Sequence, residues 1–268
     1  MQINKRPVAL VTGSSTGIGK DLAEVCARDG CDVVLVARRA DVLTQVAGEL
    51  ESRYQVTVHS IAEDLTDPKG PGRVVDRLKA QGLDPDILIN NAGSGAYGRF
   101  LDTDMDEELR SIQLNVAALT HLTKLLLPDM VRRGQGRILN VASTAAFQPG
   151  PLMAVYYATK SYVLHFSEAL ANELAGTGVT VTCLCPGPTR TEFHQRAGMS
   201  NMFLTSRSMM AASADVARAG YEGMMRGKRV VIPGFLNKLL ALSVRLAPRR
   251  LPPYIVRQRQ ERRGVKPD

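Results

Sequence analysis

Short apolar, β-branched runs recur along this chain, and amphipathic stretches fill the gaps between them. The runs fall at 8–11, 33–37, 56–61, 87–90, 137–141, 179–185 and 229–232, with helix-period stretches near 17–28, 40–52, 70–81, 105–131, 156–175 and 214–226. Strands that alternate with helices need crossover connections, so the sheet is expected to be parallel, with helices on both faces. The alternation predicts an α/β fold built on a doubly wound seven-stranded parallel sheet. A ligand of such a sheet lies across the carboxyl ends of its strands, at the switch point. At 268 residues, 44% of them hydrophobic, the chain is long enough for one domain with a full core.

The first connection is rich in glycine: Thr12-Gly13-Ser14-Ser15-Thr16-Gly17-Ile18-Gly19, between the run 8–11 and the stretch 17–28. A strand, a glycine turn and a helix N-terminus aim backbone N–H groups at a phosphate, and the helix dipole adds attraction for negative charge. The spacing Gly-x-x-x-Gly-x-Gly differs from the usual dinucleotide fingerprint, so the turn alone leaves an ordinary βα connection open. The end of the second strand bears on which dinucleotide would fit. A carboxylate there binds a ribose 2′-hydroxyl, whereas a guanidinium attracts a 2′-phosphate. Here the strand runs into Ala37-Arg38-Arg39 with no acid. Arg38 is the first candidate for a 2′-phosphate, with Arg39 in support, which points to NADPH/NADP+; the alternative is a solvated surface pair.

Tyr156 and Lys160 stand four apart in Tyr156-Tyr157-Ala158-Thr159-Lys160, with Ser143 thirteen residues upstream. On a helix, positions i and i+4 share a face, so a phenol and an ammonium meet there. Carbonyl reduction needs a proton donor, a group that tunes it and a group that holds the oxygen. A free phenol titrates near ~10, and a neighbouring ammonium is expected to lower that value. Tyr157 is a rival phenol at i,i+3 from Lys160, more in keeping with packing. Asn115, among Ile112, Leu114, Val116 and Ala117, reads on its own as a core amide.

Taken together these residues resemble the short-chain dehydrogenase/reductase family, in its NADPH-preferring branch. The family's Thr-Gly-x-x-x-Gly-x-Gly turn matches residues 12–19, its Asn-Asn-Ala-Gly element matches Asn90-Asn91-Ala92-Gly93, and its Asn–Ser–Tyr–Lys tetrad matches Asn115, Ser143, Tyr156 and Lys160. The Pro-Gly element after a late strand matches Pro186-Gly187, and the likeness runs from about residue 5 to 234. The resemblance implies a Rossmann-like sheet of strand order 3-2-1-4-5-6-7. It implies cofactor contacts from Gly13, Ser15, Thr16, Gly17, Ile18, Gly19, Asp64, Leu65, Asn91, Ala92, Gly93, Pro186, Gly187, Thr189 and Thr191, besides Arg38, Arg39, Tyr156 and Lys160. Asn115 then holds a relay water, and Lys160 also binds the nicotinamide ribose. Ser143 and Tyr156 face the substrate together with Phe147 and Met153.

The activity so implied is reduction of a lipophilic ketone or aldehyde, of steroid, retinoid or ketoacyl type, by an NADP(H)-dependent enzyme. NADP+-linked alcohol oxidation and a non-catalytic, NADP(H)-binding regulator are the alternatives. Enoyl reductases of the superfamily separate Tyr and Lys by six, which argues against reduction of a carbon–carbon double bond. Family members commonly form homodimers or homotetramers.

Cys26, Cys31, Cys183 and Cys185 form no Cys-x-x-Cys and no zinc-like spacing, so they read as small core hydrophobes, no metal is expected, and a reducing, cytoplasmic setting fits. The N-terminus enters the first strand directly, leaving no room for a signal peptide, and no apolar run reaches membrane-spanning length. Residues 188–213 are expected to form a lid over the substrate, with Phe193, Met199, Met202, Phe203, Leu204, Met209 and Met210 opposite Phe147, Leu152 and Met153.

The catalytic domain is expected to end near 234, and 235–268 reads as a basic amphipathic extension. Residues 1–225 carry 22 Lys+Arg against 24 Asp+Glu, and residues 226–268 carry 12 against 2. Phe235, Leu239, Leu242 and Leu246 recur on one helical face with basic company. That pattern suits peripheral contact with a membrane, and equally a helix packed on the domain or on another subunit. Nucleic acid is not expected, because no binding fold accompanies the charge.

Overall fold

A computed structural model describes residues 6–193, 197–198 and 210–264. Strands β1 (Val8–Thr12), β2 (Asp32–Ala37), β3 (Val58–Ala62), β4 (Ile87–Asn90), β5 (Gly136–Val141) and β6 (Val179–Leu184) form one sheet with β9 (Val230–Val231). Their order is β3-β2-β1-β4-β5-β6-β9, and every pairing is parallel. The expected order therefore holds. The seventh sheet strand is numbered β9 because two short strands, β7 (Thr189–Arg190) and β8 (Ala211–Ala212), pair with each other outside the sheet.

Helices α1 (Gly17–Arg28), α2 (Ala40–Tyr54), α3 (Gly70–Ala80), α4 (Met105–Ile112), α5 (Leu119–Arg133), α6 (Ala154–Glu173) and α7 (Ser213–Met225) flank the sheet. Two more, α8 (Phe235–Leu246) and α9 (Leu251–Gly264), follow the last strand. Alternation along each strand sends neighbouring side chains to opposite faces and builds two cores. Ala9, Val11, Val33, Leu35 and Ile89 pack under α1, α2 and α7, against Leu22, Leu43, Val46 and Tyr221. Val8, Leu10, Val34, Val36 and Leu88 pack under α3 and α5, against Val74, Leu78, Leu122 and Met130. Every residue of β1 is buried, as a central parallel strand requires.

Two local features depart from the periodic reading. The stretch 105–131 is one continuous helical rod, but Gln113–Ala118 between α4 and α5 is wound as a wider π-turn. Such turns change the side-chain phase of a helix, and this one carries Asn115. The third strand begins at Val58 rather than 56, because Gln55 turns left-handed at φ 55° and Asp32 Oδ1 accepts the Thr57 N–H at 2.8 Å. Cys183 and Cys185 point to one face as expected; both are buried and free, with Sγ atoms 3.7 Å apart. Among the described residues no helix is long and apolar enough to cross a membrane.

Candidate active site

The carboxyl ends of β1, β2, β4, β5 and β6 open onto one cavity of about 1240 Å³. Its wall runs from the glycine turn past Arg38, Arg39, Asp64 and Leu65 to Ser143, Tyr156 and Lys160. Ligand pockets are typically about 300–1,000 Å³, so this one has room for a dinucleotide and a second molecule.

The glycine turn is shaped by contact with its neighbours. A Cβ on Gly19 would collide with the Gly13 carbonyl and with Asn91 Nδ2, so only glycine fits there. Asn91 Nδ2 donates to Thr12 O at 2.9 Å and to Gly13 O at 3.2 Å, tying the turn to the end of β4. Thr12 Oγ1 accepts from the Asn91 and Ala92 amides at 3.0 and 3.1 Å. Thr12, the first residue of the glycine-turn motif, thus builds the site through a hydroxyl that acts across nearly eighty residues.

At the other end of the turn, Arg39 Nη2 lies 3.5 Å from Ser15 Oγ and 3.7 Å from Glu192. Arg38 and Arg39 both line the cavity and are exposed. Asp64 Oδ1 accepts from Thr66 N and Oγ1 at 2.9 and 2.8 Å, so it closes its own turn. Beside it, Glu63 is gripped by Arg73 at 3.1 and 2.7 Å, and that guanidinium holds its carboxyl below the usual range. This pairing fixes the loop after β3 against the cavity wall. A glycine cradle that a Cβ would fill, followed by cationic side chains and a polar cleft, fits a phosphorylated dinucleotide.

α6 presents Tyr156 and Lys160 one turn apart on the same face. Lys160 is buried and its Nζ donates to Val141 O at 2.9 Å, 5.7 Å from the centre of the Tyr156 ring. Burial lowers the Lys160 ammonium to about 8. The Tyr156 phenol is pushed well above its ordinary value by desolvation, and the hydrogen bond with Ser143 opposes this. Lowering of the phenol by Lys160 is therefore not what this geometry delivers: Ser143 is the group that acts in that direction, and burial outweighs it. Ser143 Oγ also accepts from Ala145 N at 3.1 Å and lies 3.5 Å from Pro186 O.

Asn115 is buried in the π-turn. Its Oδ1 accepts from Ser94 N at 3.0 Å, and its Nδ2 donates to Ser94 O at 2.8 Å and to Thr159 Oγ1 at 2.9 Å. Both ends of the amide are thus used to join the segment after β4 to α6. Pro186 O accepts from Thr144 N at 2.8 Å; Thr189 Oγ1 donates to Gly187 O at 2.9 Å; Thr191 Oγ1 accepts from Phe193 N at 3.3 Å.

The apolar end of the cavity holds Phe147, Met153, Tyr157, Phe193 and Met210. Phe193 lies 5.1 Å from the Tyr156 ring. Of the expected lid residues, Met199, Met202, Phe203, Leu204 and Met209 lie outside the described residues. The larger surprise is the C-terminal extension, which returns to the site. Leu236, Leu240 and Val244 of α8 and Val256, Arg259 and Gln260 of α9 line the cavity. Gln260 O accepts from Tyr97 at 2.8 Å, and Gln260 Nε2 donates to the Tyr157 hydroxyl at 3.3 Å. Tyr157 is accordingly a wall residue, turned toward α9.

A doubly wound sheet with a glycine turn at its switch point and a Ser–Tyr–Lys cluster beside it defines a dinucleotide-binding α/β oxidoreductase fold. The description of the short chain dehydrogenases matches residues 7–201. A very-long-chain 3-oxoacyl-CoA reductase of Bos taurus is 39% identical over 184 residues, 66% of this chain and 58% of that protein. The chain thus spans less than two thirds of the length of that relative. A short-chain dehydrogenase from Sphingobium yanoikuyae in complex with NADPH is 36% identical with a TM-score of 0.80, covering 88% of this chain and 92% of that one. A bulky-bulky ketone specific alcohol dehydrogenase from Comamonas testosteroni is 31% identical with a TM-score of 0.77, covering 92% and 99%. The chain belongs to the short chain dehydrogenase family.

Proposed function

We propose that the protein is an NADPH-dependent carbonyl reductase acting on a lipophilic ketone or aldehyde. The observation that carries this reading is the cluster on the cavity wall, with the Tyr156 phenol hydrogen-bonded to Ser143 and one helical turn from Lys160. When bound, NADPH supplies the hydride. Ser143 holds the carbonyl oxygen as charge develops on it, and Tyr156 gives that oxygen its proton. Lys160, charged below pH about 8, offers its ammonium to the ribose hydroxyls and to the proton path. Asn115 holds the segment after β4 and α6 at a fixed spacing, and its relay water is part of the same reading. Reduction consumes a phenol proton, and alcohol oxidation with NADP+ would return one to the same group.

Arg38, with Arg39, is assigned the 2′-phosphate, and an NADPH-bound relative of the same fold supports that choice. The pyrophosphate falls to Gly13, Ser15, Thr16, Gly17, Ile18 and Gly19, the adenosine to Asp64 and Leu65, and the nicotinamide to the Pro186–Thr191 segment. The lipophilic character of the substrate is supported by Phe147, Met153 and Phe193 at one end of the cavity, and by relatives named for very-long-chain 3-oxoacyl-CoA and bulky ketones. The test is loss of NADPH absorbance against a panel of steroid, aromatic and long-chain ketones. Tyr156→Phe is expected to reduce turnover by about 10²–10⁴-fold while NADPH binds within a few-fold of wild type. Near-normal turnover in that variant removes the assignment.

A further inference from the structure

Eight of the twelve residues of helix α8 are apolar, and only part of that apolar surface is used inside the protein. Leu236, Leu240, Ala241 and Val244 border the cavity. The stripe formed by Phe235, Leu239, Leu242 and Leu246 does not, and these residues are 78%, 53%, 56% and 83% exposed. Their spacing at i, i+4, i+7 and i+11 puts them on one face, and Lys238 and Arg245, seven apart, run along one edge of it. Beyond the connecting loop, α9 adds Leu251, Tyr254 and Ile255, also exposed. An exposed apolar surface of this extent marks an interaction site.

Charge decides what covers it. Residues 226–268 carry 12 Lys+Arg against 2 Asp+Glu, while residues 1–225 are balanced at 22 against 24. A two-fold contact through this stripe would set two such cationic segments against each other, and like charges disfavour it. An anionic lipid surface is complementary to both features: the stripe enters the headgroup boundary and the cations meet the lipid charge.

We propose that the α8–α9 segment is an interfacial anchor that seats the mouth of the cavity on an anionic lipid surface. α9 is tied to the body by Gln260, through Tyr97 and Tyr157, so the anchor and the cavity wall are one piece. Leu236 and Leu240, which border the cavity, lie on the same helix as the outward stripe, so the anchor brings that part of the cavity wall to the lipid.

The full chain is to be floated with phosphatidylcholine vesicles, with and without about one third phosphatidylserine. Binding is expected only with the anionic lipid, falling about ten-fold or more as salt is raised. The double variant Leu239→Glu, Leu242→Glu is expected to lose vesicle binding. Neither residue borders the cavity, so NADPH binding and turnover of a small water-soluble ketone should not change. A second variant, Lys238→Glu with Arg245→Glu, removes only charge and is expected to weaken binding in the same direction. Wild type that ignores anionic vesicles overturns the proposal, as do variants that bind them equally well. A wild-type dimer that ignores vesicles and that Leu239→Glu, Leu242→Glu splits assigns the stripe to a second copy instead. None of these readings depends on turnover of a lipophilic ketone, so they stand apart from the fate of the reductase assignment.

Discussion

Lys160→Met separates what the site needs from what the fold prefers. Burial lowers the lysine from 10.5 to about 8, so the folded state resists the charge that the unfolded chain accepts. Above pH 10.5 the amine is neutral in both states and the resistance vanishes. As pH falls from 10.5 to 8 the unfolded chain takes up a proton that the folded one declines, and stability drops; below 8 the whole difference is present. At 1.36 kcal/mol for each pH unit, the charge costs the fold about 3 kcal/mol at pH 7 and under about 1 kcal/mol at pH 10. Methionine removes that cost but withdraws the donor from Val141 O, which is worth about 1–3 kcal/mol. Lys160→Met is therefore expected to match wild type or exceed it by up to about 2 kcal/mol at pH 7, and to fall below it at pH 10. Urea unfolding at both pH values measures this: a slope of about 2 kcal/mol per molar turns the swing into roughly 1 M of midpoint. Turnover should collapse in the same variant. A stability difference that does not change between pH 7 and 10 would refute the argument, because it would mean that the ammonium is not penalised by the fold.

Two further substitutions probe the geometry on either side. A Cβ on Gly95 would stand 2.8 Å from Tyr156 Cδ2 and 3.0 Å from its Cγ, so Gly95→Ala should displace the ring and lower kcat by ten-fold or more, with NADPH affinity kept; unchanged kcat counts against the ring position. Arg38→Asp should raise KM for NADPH by roughly ten- to a hundred-fold and improve the ratio for NADH, since a charge-assisted contact is worth about 1.5–3 kcal/mol. If only Arg39→Asp has that effect, the Arg39–Ser15 pair is the phosphate site.

The parts of the site that proved legible are those carried by local periodicity. The glycine turn follows a strand and opens a helix, and Tyr156 and Lys160 share a face because i and i+4 always do on a helix. Ser143 lies just past the end of β5, and the connection that follows leads into α6, where Tyr156 meets it. What the linear pattern hides is contact between distant segments. Gln260 reaches Tyr97 and Tyr157 across 163 and 103 residues, and no spacing rule marks a glutamine in a basic tail as part of a cavity wall. The π-turn is hidden for a different reason. One extra residue in a helical turn leaves composition and hydrophobic rhythm almost unchanged, yet it places both ends of the Asn115 amide on Ser94 and Thr159. The buried chain from Thr123 through Asn90 and Asn140 to Ser167 is likewise invisible, because its members come from four separate elements and no spacing rule joins them.

The two shifted groups also decide how activity should depend on pH. Desolvation acts on both in the direction of the neutral form, which moves them apart in consequence: it drives the phenol up and the ammonium down. A phenol activated by its lysine would titrate first and give a limb assigned to tyrosine. With Nζ committed to Val141 O and Tyr156 held above its ordinary range, the order is reversed, and Lys160 loses its proton first, near pH 8. Reduction should therefore be steady at neutral pH, and kcat/KM should fall through about 8 as the ammonium is lost. The phenolate absorbance of Tyr156, read as wild type minus Tyr156→Phe, should rise only at distinctly higher pH. A limb that coincides with the phenolate signal would return the proton chemistry to a lysine-tuned tyrosine and show that burial is not the dominant influence at this site.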